Sequence, residues 1–398
     1  MPPRLTLPLA LLLVGAGLVT GCTGDDAGPD QGPGSTSTAP VAVAARWREV
    51  ELPVRAAGAR AAARDATWCG DRWLVVGGVV GPGGRARPAA WSSRDGERWR
   101  PVVVRAATYW GRRAVVLGVA CRGAVPVAVG AMSGGAHANP RVSTFRPLDD
   151  DTWVDVPAPA EQYGGPSAVN VGPVAAGDPG WLIAGNRRSG PAVWVAPDPK
   201  DFDLVEGAPG LSDGAGLTGL AQDAVWDGSA WLVVGGAHTD DALDRRPQAW
   251  SSRDGRRWTR EPVPGTEGYD DLQRVIAVGG QVVAAGVADG RFATWVRNAG
   301  GWREGGSFGG FDPDGGSAPR VTGLAAGPTT LLATTSDGAE LGLWGLDDAA
   351  RWWRIEMPLA VTASAEHALL AAAHEEDVLL VADTGDGARA WLAPVPVR

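Results

Sequence analysis

The sequence predicts an all-β protein, a seven-bladed β-propeller built from four-stranded antiparallel blades. Three observations support this architecture. A segment containing two tryptophans occurs twice in almost the same form, and aromatic residues and glycines recur at a regular spacing along the chain. A short strand-like segment near the amino terminus also supplies the one strand that the carboxyl-terminal repeat lacks.

The repeated segment reads AWSSRDGERWR at 90–100 and AWSSRDGRRWT at 249–259. An Asp-Gly pair between two strand-like runs is a strong hairpin signal, because both central residues of such a turn need φ > 0. We expect a two-residue turn here, which places Trp91 and Trp99 on opposite faces of one sheet. Such a sheet needs a neighbour on each face, and blades arranged around an axis provide one.

The remaining repeats follow from two markers. The aromatic residue of the third strand is expected at Trp91, Phe145, Trp194, Trp250, Trp295, Trp344 and Trp391. The end of the second strand is expected at Gly77, Gly130, Gly185, Gly235, Gly286, Thr335 and Asp383. Both markers give seven repeats with a period of about 50 residues, within the range of propeller blades.

The seventh repeat has no fourth strand, because the chain stops seven residues after Trp391. The segment 46–52, RWREVEL, has the fourth-strand pattern and precedes the first repeat. We therefore expect the ring to close by pairing this amino-terminal strand with the carboxyl-terminal ones.

The amino terminus has the character of a targeting segment. An arginine is followed by a short apolar run, and Val19-Thr20-Gly21-Cys22 resembles the lipobox of bacterial lipoproteins. The resemblance implies a signal peptide at 1–21, a lipidated Cys22, and a protein anchored in the cell membrane on its extracytoplasmic side. The alternative is an ordinary cleaved signal with a chance cysteine. Residues 22–40 are polar and rich in Gly, Pro and Ser, which predicts a disordered tether, and 41–398 form the propeller.

The remaining two cysteines, Cys69 and Cys121, are expected to form a disulfide. Cys69 lies eight residues before Gly77 and Cys121 nine before Gly130, so both fall at the same end of a first strand in adjacent blades. An extracytoplasmic compartment allows such a bond.

Charge excludes one class of partner. The chain carries a formal net charge of −9, Lys200 is its only lysine, and no basic stripe occurs. We expect no nucleic-acid partner and no cofactor, and we expect a monomer.

The Ser-x-Asp-Gly-x-x-Trp hairpins resemble the Asp-box, or BNR, repeat of sialidase-like propellers, although the family pattern has one residue between Asp and Gly. The resemblance implies a structural turn role, and it covers four residues here: Asp95, Gly96, Asp254 and Gly255. A short carboxylate that accepts backbone N–H bonds fits that role. The Val-Val-Gly-Gly segments are also similar to kelch repeats.

The catalytic signature that sialidases share is not recognisable. No Arg-Ile-Pro motif occurs, and none of the three tyrosines stands beside a family motif. No histidine or carboxylate spacing indicates a metal site. We therefore expect a non-catalytic binding or scaffold module at the cell envelope, with an envelope protein or a glycan as its partner. The alternative is a glycan-active hydrolase, which would need carboxylates and arginines converging on the central axis.

The candidate ligand face consists of the loops between second and third strands together with the connections between blades, since binding residues usually lie on loops held by a rigid scaffold. Its candidate residues are Arg85, Arg187, Arg188, His238, Arg245 and Arg246, accompanied by Tyr109, Trp110, Tyr163 and Tyr269.

Overall fold

The computed structural model describes residues 42–134, 140–212, 214, 216–239, 244–311, 318–328, 330–347 and 351–396. The expected signal peptide, Cys22 and the tether lie outside these residues. Within the described ranges, no helix has the length and apolar character needed to span a bilayer.

Nearly all regular structure is β-strand. The first strands in the chain are β1 (Ala42–Val43), β2 (Arg48–Val50), β3 (Arg60–Cys69), β4 (Arg72–Val80), β5 (Ala86–Ser93), β6 (Arg100–Arg105), β7 (Val115–Arg122), β8 (Val125–Met132), β9 (Arg141–Asp149) and β10 (Thr152–Val156). The next are β11 (Ala168–Gly177), β12 (Gly180–Arg187), β13 (Gly190–Ala196), β14 (Asp203–Val205), β15 (Leu217–Trp226), β16 (Trp231–Thr239), β17 (Arg246–Ser252), β18 (Thr259–Glu261), β19 (Asp270–Val278) and β20 (Gln281–Ala288). The last are β21 (Arg291–Asn298), β22 (Gly301–Phe308), β23 (Arg320–Ala326), β24 (Leu331–Ser336), β25 (Leu341–Leu346), β26 (Trp352–Ile355), β27 (Ala368–His374), β28 (Asp377–Asp383) and β29 (Ala388–Pro394). A 3₁₀ helix (Gly111–Arg113) and one α-helical turn, α1 (Ala160–Tyr163), interrupt them.

Four-stranded antiparallel sheets are the repeating element. The strands β11–β14, β15–β18 and β19–β22 form three such sheets in chain order, and β2-β29-β28-β27 form a fourth. The strands β3–β6 and β7–β10 form two antiparallel halves of one eight-stranded sheet, because β6 and β10 pair in parallel. The strands β23–β26 form a sheet to which β1 adds in parallel.

The repeat predicted that the recurring glycine would end the second strand, but the strand continues beyond it. Gly77 lies inside β4, opposite Ala63, at a bulge in β3 between Ala63 and Asp65. A Cβ at Gly77 would lie 1.9 Å from the carbonyl oxygen of Ala62. The glycine is therefore required by the close approach of the two backbones at the bulge. The same approach recurs at Gly235 and Gly286.

The Asp-Gly turn is longer than predicted. Trp91 pairs with Pro101, whereas a two-residue turn at Asp95-Gly96 would pair it with Arg100. The loop between β5 and β6 therefore runs from residue 94 to residue 99. The carboxylate of Asp95 causes this, since its Oδ1 accepts the backbone N–H of both Glu97 (3.0 Å) and Arg98 (2.8 Å). Only the glycine of the Asp-Gly pair has a positive φ, 71°.

The second copy of the turn is built in the same way: Asp254 accepts the N–H of Arg256 and Arg257, and its glycine, Gly255, has φ 70°. These bonds hold the pKa of Asp254 below its usual range.

The longer loop also changes where the tryptophans lie. Trp91 and Trp99 belong to one buried cluster rather than to opposite faces of the sheet. Trp99 stands before the start of β6, and its indole N–H folds back to the carbonyl of Gly96 at 2.8 Å. The prediction of opposite faces was wrong because it assumed a two-residue turn.

The core is divided into clusters between adjacent sheets, and third-strand tryptophans occupy their centres. Trp91, Trp194 and Trp295 are each at most 2% exposed. Their indole N–H groups donate to the carbonyls of Pro53 (2.9 Å), Gln162 (2.6 Å) and Pro264 (2.9 Å), which lie in segments outside the sheets themselves. These bonds fasten the connecting segments to the sheets, because a buried indole N–H without a partner would be costly.

Cys69 and Cys121 form a disulfide with a Cα–Cα distance of 5.5 Å. It joins the ends of β3 and β7, the first strands of the two halves of the eight-stranded sheet.

The amino-terminal strand β2 pairs with β29 through Arg48↔Leu392, Glu49↔Trp391 and Val50↔Ala390. Deleting residues 41–54 removes this strand together with β1, leaves β29 with a free edge and empties the buried position of Leu52, which is 7% exposed. Loss of one such buried side chain costs about 2–5 kcal/mol. We expect the free energy of unfolding to fall by at least that amount, measured by thermal or denaturant unfolding. Deletion of 23–40 is the matched control and should leave the unfolding curve unchanged. Equal unfolding of the two deletion variants would contradict the role given to β2.

Candidate functional site

Each antiparallel sheet has two ends with different loops. One end carries the loop between the second and third strands and the connection to the next sheet, and we call this end the connector face. The other end, with the first-to-second and third-to-fourth strand turns, is the turn face. Asp95 and Cys69 lie at the turn face.

The first strands line a central channel of about 660 Å³, in which carboxylates and arginines meet. The lining includes Arg64, Asp65, Asp223 and Arg274. The two carboxylates are already engaged. Asp65 accepts the backbone N–H of Ala66 (2.8 Å) in its own strand and of Val119 (2.9 Å) in the next first strand.

Asp223 repeats the arrangement of Asp65, with the N–H groups of Ala224 (2.9 Å) and Val275 (3.0 Å). Burial raises the pKa of Asp65 to about 6, and it raises that of Asp223 as well. Each carboxylate therefore acts as a joint between successive first strands.

The arginines of the channel are also bonded to the frame. Arg64 donates to Asp383 (2.6 Å) and to the carbonyl of Glu366 (3.2 Å). Arg274 donates to the carbonyls of Thr322 (2.9 Å) and Gln273 (2.6 Å). The channel is polar, but its charged groups hold the sheets together.

A different group of side chains is displayed on the connector face, on the segment between β6 and β7. Asp155 of β10 is 5% exposed and accepts the N–H of Ala107 (2.7 Å), the N–H of Thr108 (2.9 Å) and the hydroxyl of Thr108 (2.5 Å). That hydroxyl in turn accepts the N–H of Gly111 (2.9 Å). A Cβ at Gly111 would lie 2.2 Å from the Asp155 carboxylate. A buried carboxylate thus fixes the conformation of this segment.

The segment held in this way exposes two aromatic rings. Tyr109 is 50% and Trp110 38% exposed, and their rings meet edge to face with centroids 4.7 Å apart. The guanidinium of Arg113 lies 3.9 Å from the Tyr109 ring, and that of Arg141 lies 5.6 Å from the Trp110 ring. We call these four side chains the aromatic–arginine platform.

No carboxylate of the described residues forms an ion pair with Arg113 or Arg141. Three other arginines of the connector face, Arg187, Arg245 and Arg246, do have carboxylate partners. The platform therefore combines two positive charges with two exposed aromatic faces in a chain whose net charge is −9.

The predicted ligand-face residues are spread over several sheets. Arg85 and Arg188 are exposed in loops, and His238 is half-buried on β16. Arg246 is exposed and forms a loose ion pair with Glu267 (3.7 Å). Arg187 is only 5% exposed, which corrects its expected place on the surface.

Arg187 is buried because it is bonded on two sides. It pairs with Glu206 (2.9 Å) and donates to the carbonyl of Gly164 (2.7 Å).

Arg245 is half-buried and belongs to a second group of polar side chains on the connector face. It donates to the carboxylate of Asp271 at 2.9 Å, and its guanidinium lies 5.6 Å from the ring of Tyr269, which is 40% exposed. Asp271 is 1% exposed, and burial raises its pKa to about 6 against the lowering effect of Arg245.

Tyr109 and Trp110 were anticipated as companions of the ligand face, but Arg113, Arg141 and Asp155 were not. A usable signal existed: Trp110 falls outside the repeat pattern that accounts for most tryptophans, and two arginines follow directly after Gly111. Within the described ranges, no three His, Cys, Asp or Glu side chains come together to hold a metal ion.

No protein-family model matches the chain, and neither does any curated protein. Among solved structures, the fold is similar to phage phi92 endosialidase, with a TM-score of 0.51 and 9% identity over 89% of this chain and 70% of that one. The β-propeller domain of the Trilobed protease from Pyrococcus furiosus gives 0.47 and 9% identity, covering 84% and 95%. Trypanosoma rangeli sialidase gives 0.42 and 12% identity, covering 89% and 58%. At these identities the likeness concerns the fold alone, which is a sialidase-like β-propeller.

The raised pKa of Asp271 predicts a specific pH dependence. The carboxyl group of Asp271 binds its proton more tightly in the folded state than in the unfolded state, where its pKa is about 3.9. The protonated group therefore stabilises the fold at low pH, and this effect is lost as the pH rises through about 6. We expect the melting temperature of Asp271→Asn, relative to the native chain, to increase between pH 4 and pH 7. The same substitution at the exposed Asp386 is the control. A constant difference for Asp271→Asn would show that the carboxyl does not titrate in this range.

Proposed function

We propose that the protein is a lipid-anchored, extracytoplasmic binding module: a seven-bladed propeller that binds an acidic glycan on the aromatic–arginine platform and performs no catalysis. The observation that carries the proposal is the pair of arginines without carboxylate partners beside two exposed aromatic rings. The proposal has three parts, the ring, the ligand and the anchor.

The count of seven is supported by contacts among the first strands. They meet in the order β3, β7, β11, β15, β19, β23, β27, and β27 contacts β3. The pairing of β2 with β29 supports closure by the amino-terminal strand. A ring of this kind gives the loops of the connector face a rigid base, as binding loops require.

The ligand class follows from the chemistry of the platform. An arginine guanidinium recognises carboxylate, sulfate or phosphate groups through paired N–H donors. Aromatic faces pack against the C–H surface of a sugar ring, and Tyr109 and Trp110 are held open for such contact by Asp155. A charged, ring-containing polymer satisfies both features together, and an acidic oligosaccharide is the simplest example.

A non-catalytic role is supported by the state of the axial carboxylates. Glycoside hydrolysis needs two carboxyl groups about 5–9.5 Å apart that flank the bond and can exchange protons with it. Asp65 and Asp223 instead bond backbone N–H groups with both of their oxygens. The alternative, a glycan-active hydrolase, has in its favour the raised pKa of Asp65 and the arginines in the same channel.

The binding proposal is tested on an array of acidic oligosaccharides carrying uronate, sialate or sulfate groups, with neutral counterparts. We expect binding of acidic members to become about ten-fold weaker in Trp110→Ala or Arg113→Ala, equivalent to about 1.4 kcal/mol, while binding of neutral members stays unchanged in both variants. Leu148→Ala and Arg303→Ala, which alter exposed side chains elsewhere, are the controls.

Two results would count against the binding proposal. An equal loss of acidic and neutral binding in Trp110→Ala would remove the proposed ligand class. Release of shortened products from the bound glycan would favour the hydrolase.

The anchor is tested separately. We expect metabolic labelling of the native chain with a clickable fatty acid, and loss of the label in Cys22→Ser together with release from membranes or failure of processing. Cys69 and Cys121 are unsuitable for modification because they are disulfide-bonded. An unlabelled native chain would contradict lipidation.

A further inference from the structure

A cleft of about 980 Å³ opens between the β15–β18 sheet and the β19–β22 sheet. Its lining includes turn-face residues of both sheets, among them Asp227, Gly279 and Ala299. It therefore lies away from the platform, which belongs to the connector face. Its volume is within the range of ligand-binding pockets, about 300–1,000 Å³.

The cleft stays open because the outer strands here do not meet. In the eight-stranded sheet, the outer strands β6 and β10 pair in parallel and close the corresponding gap. The strand β18 ends at Glu261 and is followed by Pro262 and Pro264. Proline has no N–H to donate to a ladder, so β18 cannot extend along its neighbour. The prolines instead form one wall of the cleft.

Another part of the lining is a fixed ion-pair network. Arg297 donates through Nε and Nη2 to both oxygens of Glu261 (2.7 and 2.9 Å) and through Nη1 to Asp227 (3.1 Å). The indole N–H of Trp302 donates to Glu261 at 2.9 Å. Asp227 also accepts the N–H and hydroxyl of Ser229 (both 2.8 Å).

Protonation does not disturb this network near neutral pH. Burial raises the pKa of Glu261 and of Asp227, but the hydrogen bonds and the Arg297 charge outweigh it and hold both values below the usual range. The cation is matched by two carboxylates, so the lining has no unpaired positive charge. An anionic ligand would be repelled, which distinguishes this cleft from the platform.

The groups left for a ligand are hydrogen-bonding groups that add no unpaired charge to the cleft, and they stand beside aromatic residues. Gln281 and Asn298 carry amides and are exposed, and two guanidinium N–H groups of Arg297 have no partner among its hydrogen bonds. The lining also contains Trp226 and Trp302. Donors and acceptors held side by side suit the adjacent hydroxyls of a sugar.

We propose that this cleft binds a neutral oligosaccharide, as a second site independent of the platform. A peptide is a poorer match, because extended peptides bind by pairing with a free strand edge. Half of its lining belongs to turns and to the Pro262–Pro264 segment, and the outer strands β18 and β22 contribute only Glu261, Gly301 and Trp302.

The test measures binding of the native chain to a panel of neutral oligosaccharides and to a library of extended peptides. Gln281→Trp fills the cleft from an exposed position at the start of β20, and we expect it to weaken neutral-oligosaccharide binding at least ten-fold. Val125→Trp is the matched control, since Val125 is 42% exposed at the start of another second strand, β8, and does not line the cleft.

Trp110→Ala separates the two sites: it should weaken acidic binding and leave neutral binding unchanged. Failure of the native chain to bind any neutral oligosaccharide would overturn the proposal. Equal binding by Gln281→Trp, or binding of peptides alone, would overturn it too. None of these results bears on the platform, so the two proposals fail separately.

Discussion

The bulge in the first strands is the constraint on which much of the structure depends. An extra residue in β3 brings the carbonyl of Ala62 against the backbone of β4, and only glycine leaves room there. The bulge also turns Asp65 toward the neighbouring first strand, where it bonds the N–H of Val119. One local irregularity thus determines the glycine of the second strand and joins one sheet to the next.

This arrangement explains why charged residues gather at the axis without forming an evident reactive centre. Asp65 and Asp223 lie at equivalent bulges, and each bonds a backbone N–H of the following first strand. The exposed aromatic rings and the arginines beside them lie instead where a different buried carboxylate, Asp155, fixes the conformation of a loop. The scaffold and the platform both rely on buried carboxylates, but only the second arrangement exposes side chains to solvent.

The repeat could be predicted from the sequence because large aromatic residues and glycines recur at its equivalent positions. The disulfide between Cys69 and Cys121 could be predicted from their equivalent positions in adjacent repeats. The turn at Asp95 could not, since its register depends on two backbone bonds to one carboxylate. The platform was also only partly foreseeable. Arg141 approaches Trp110 from another strand, and its lack of an ion-pair partner is a property of the folded surface. Arg187 shows the converse, an arginine in a surface-like context that the fold buries.

The pairing of β2 with β29 has a consequence for how the chain folds. Glu49 and Arg389, which form two hydrogen bonds across this pair (2.8 and 2.9 Å), are 340 residues apart in sequence. Bringing such distant strands together carries a large loop-closure entropy until the intervening sheets have formed. Apart from the parallel pairs β6–β10 and β1–β26, the other sheets are built from consecutive hairpins, whose strands are close in sequence. The sheet that contains β2 and β29 cannot be completed until these two strands meet, so its formation is expected to be later than that of the hairpins formed by neighbouring strands.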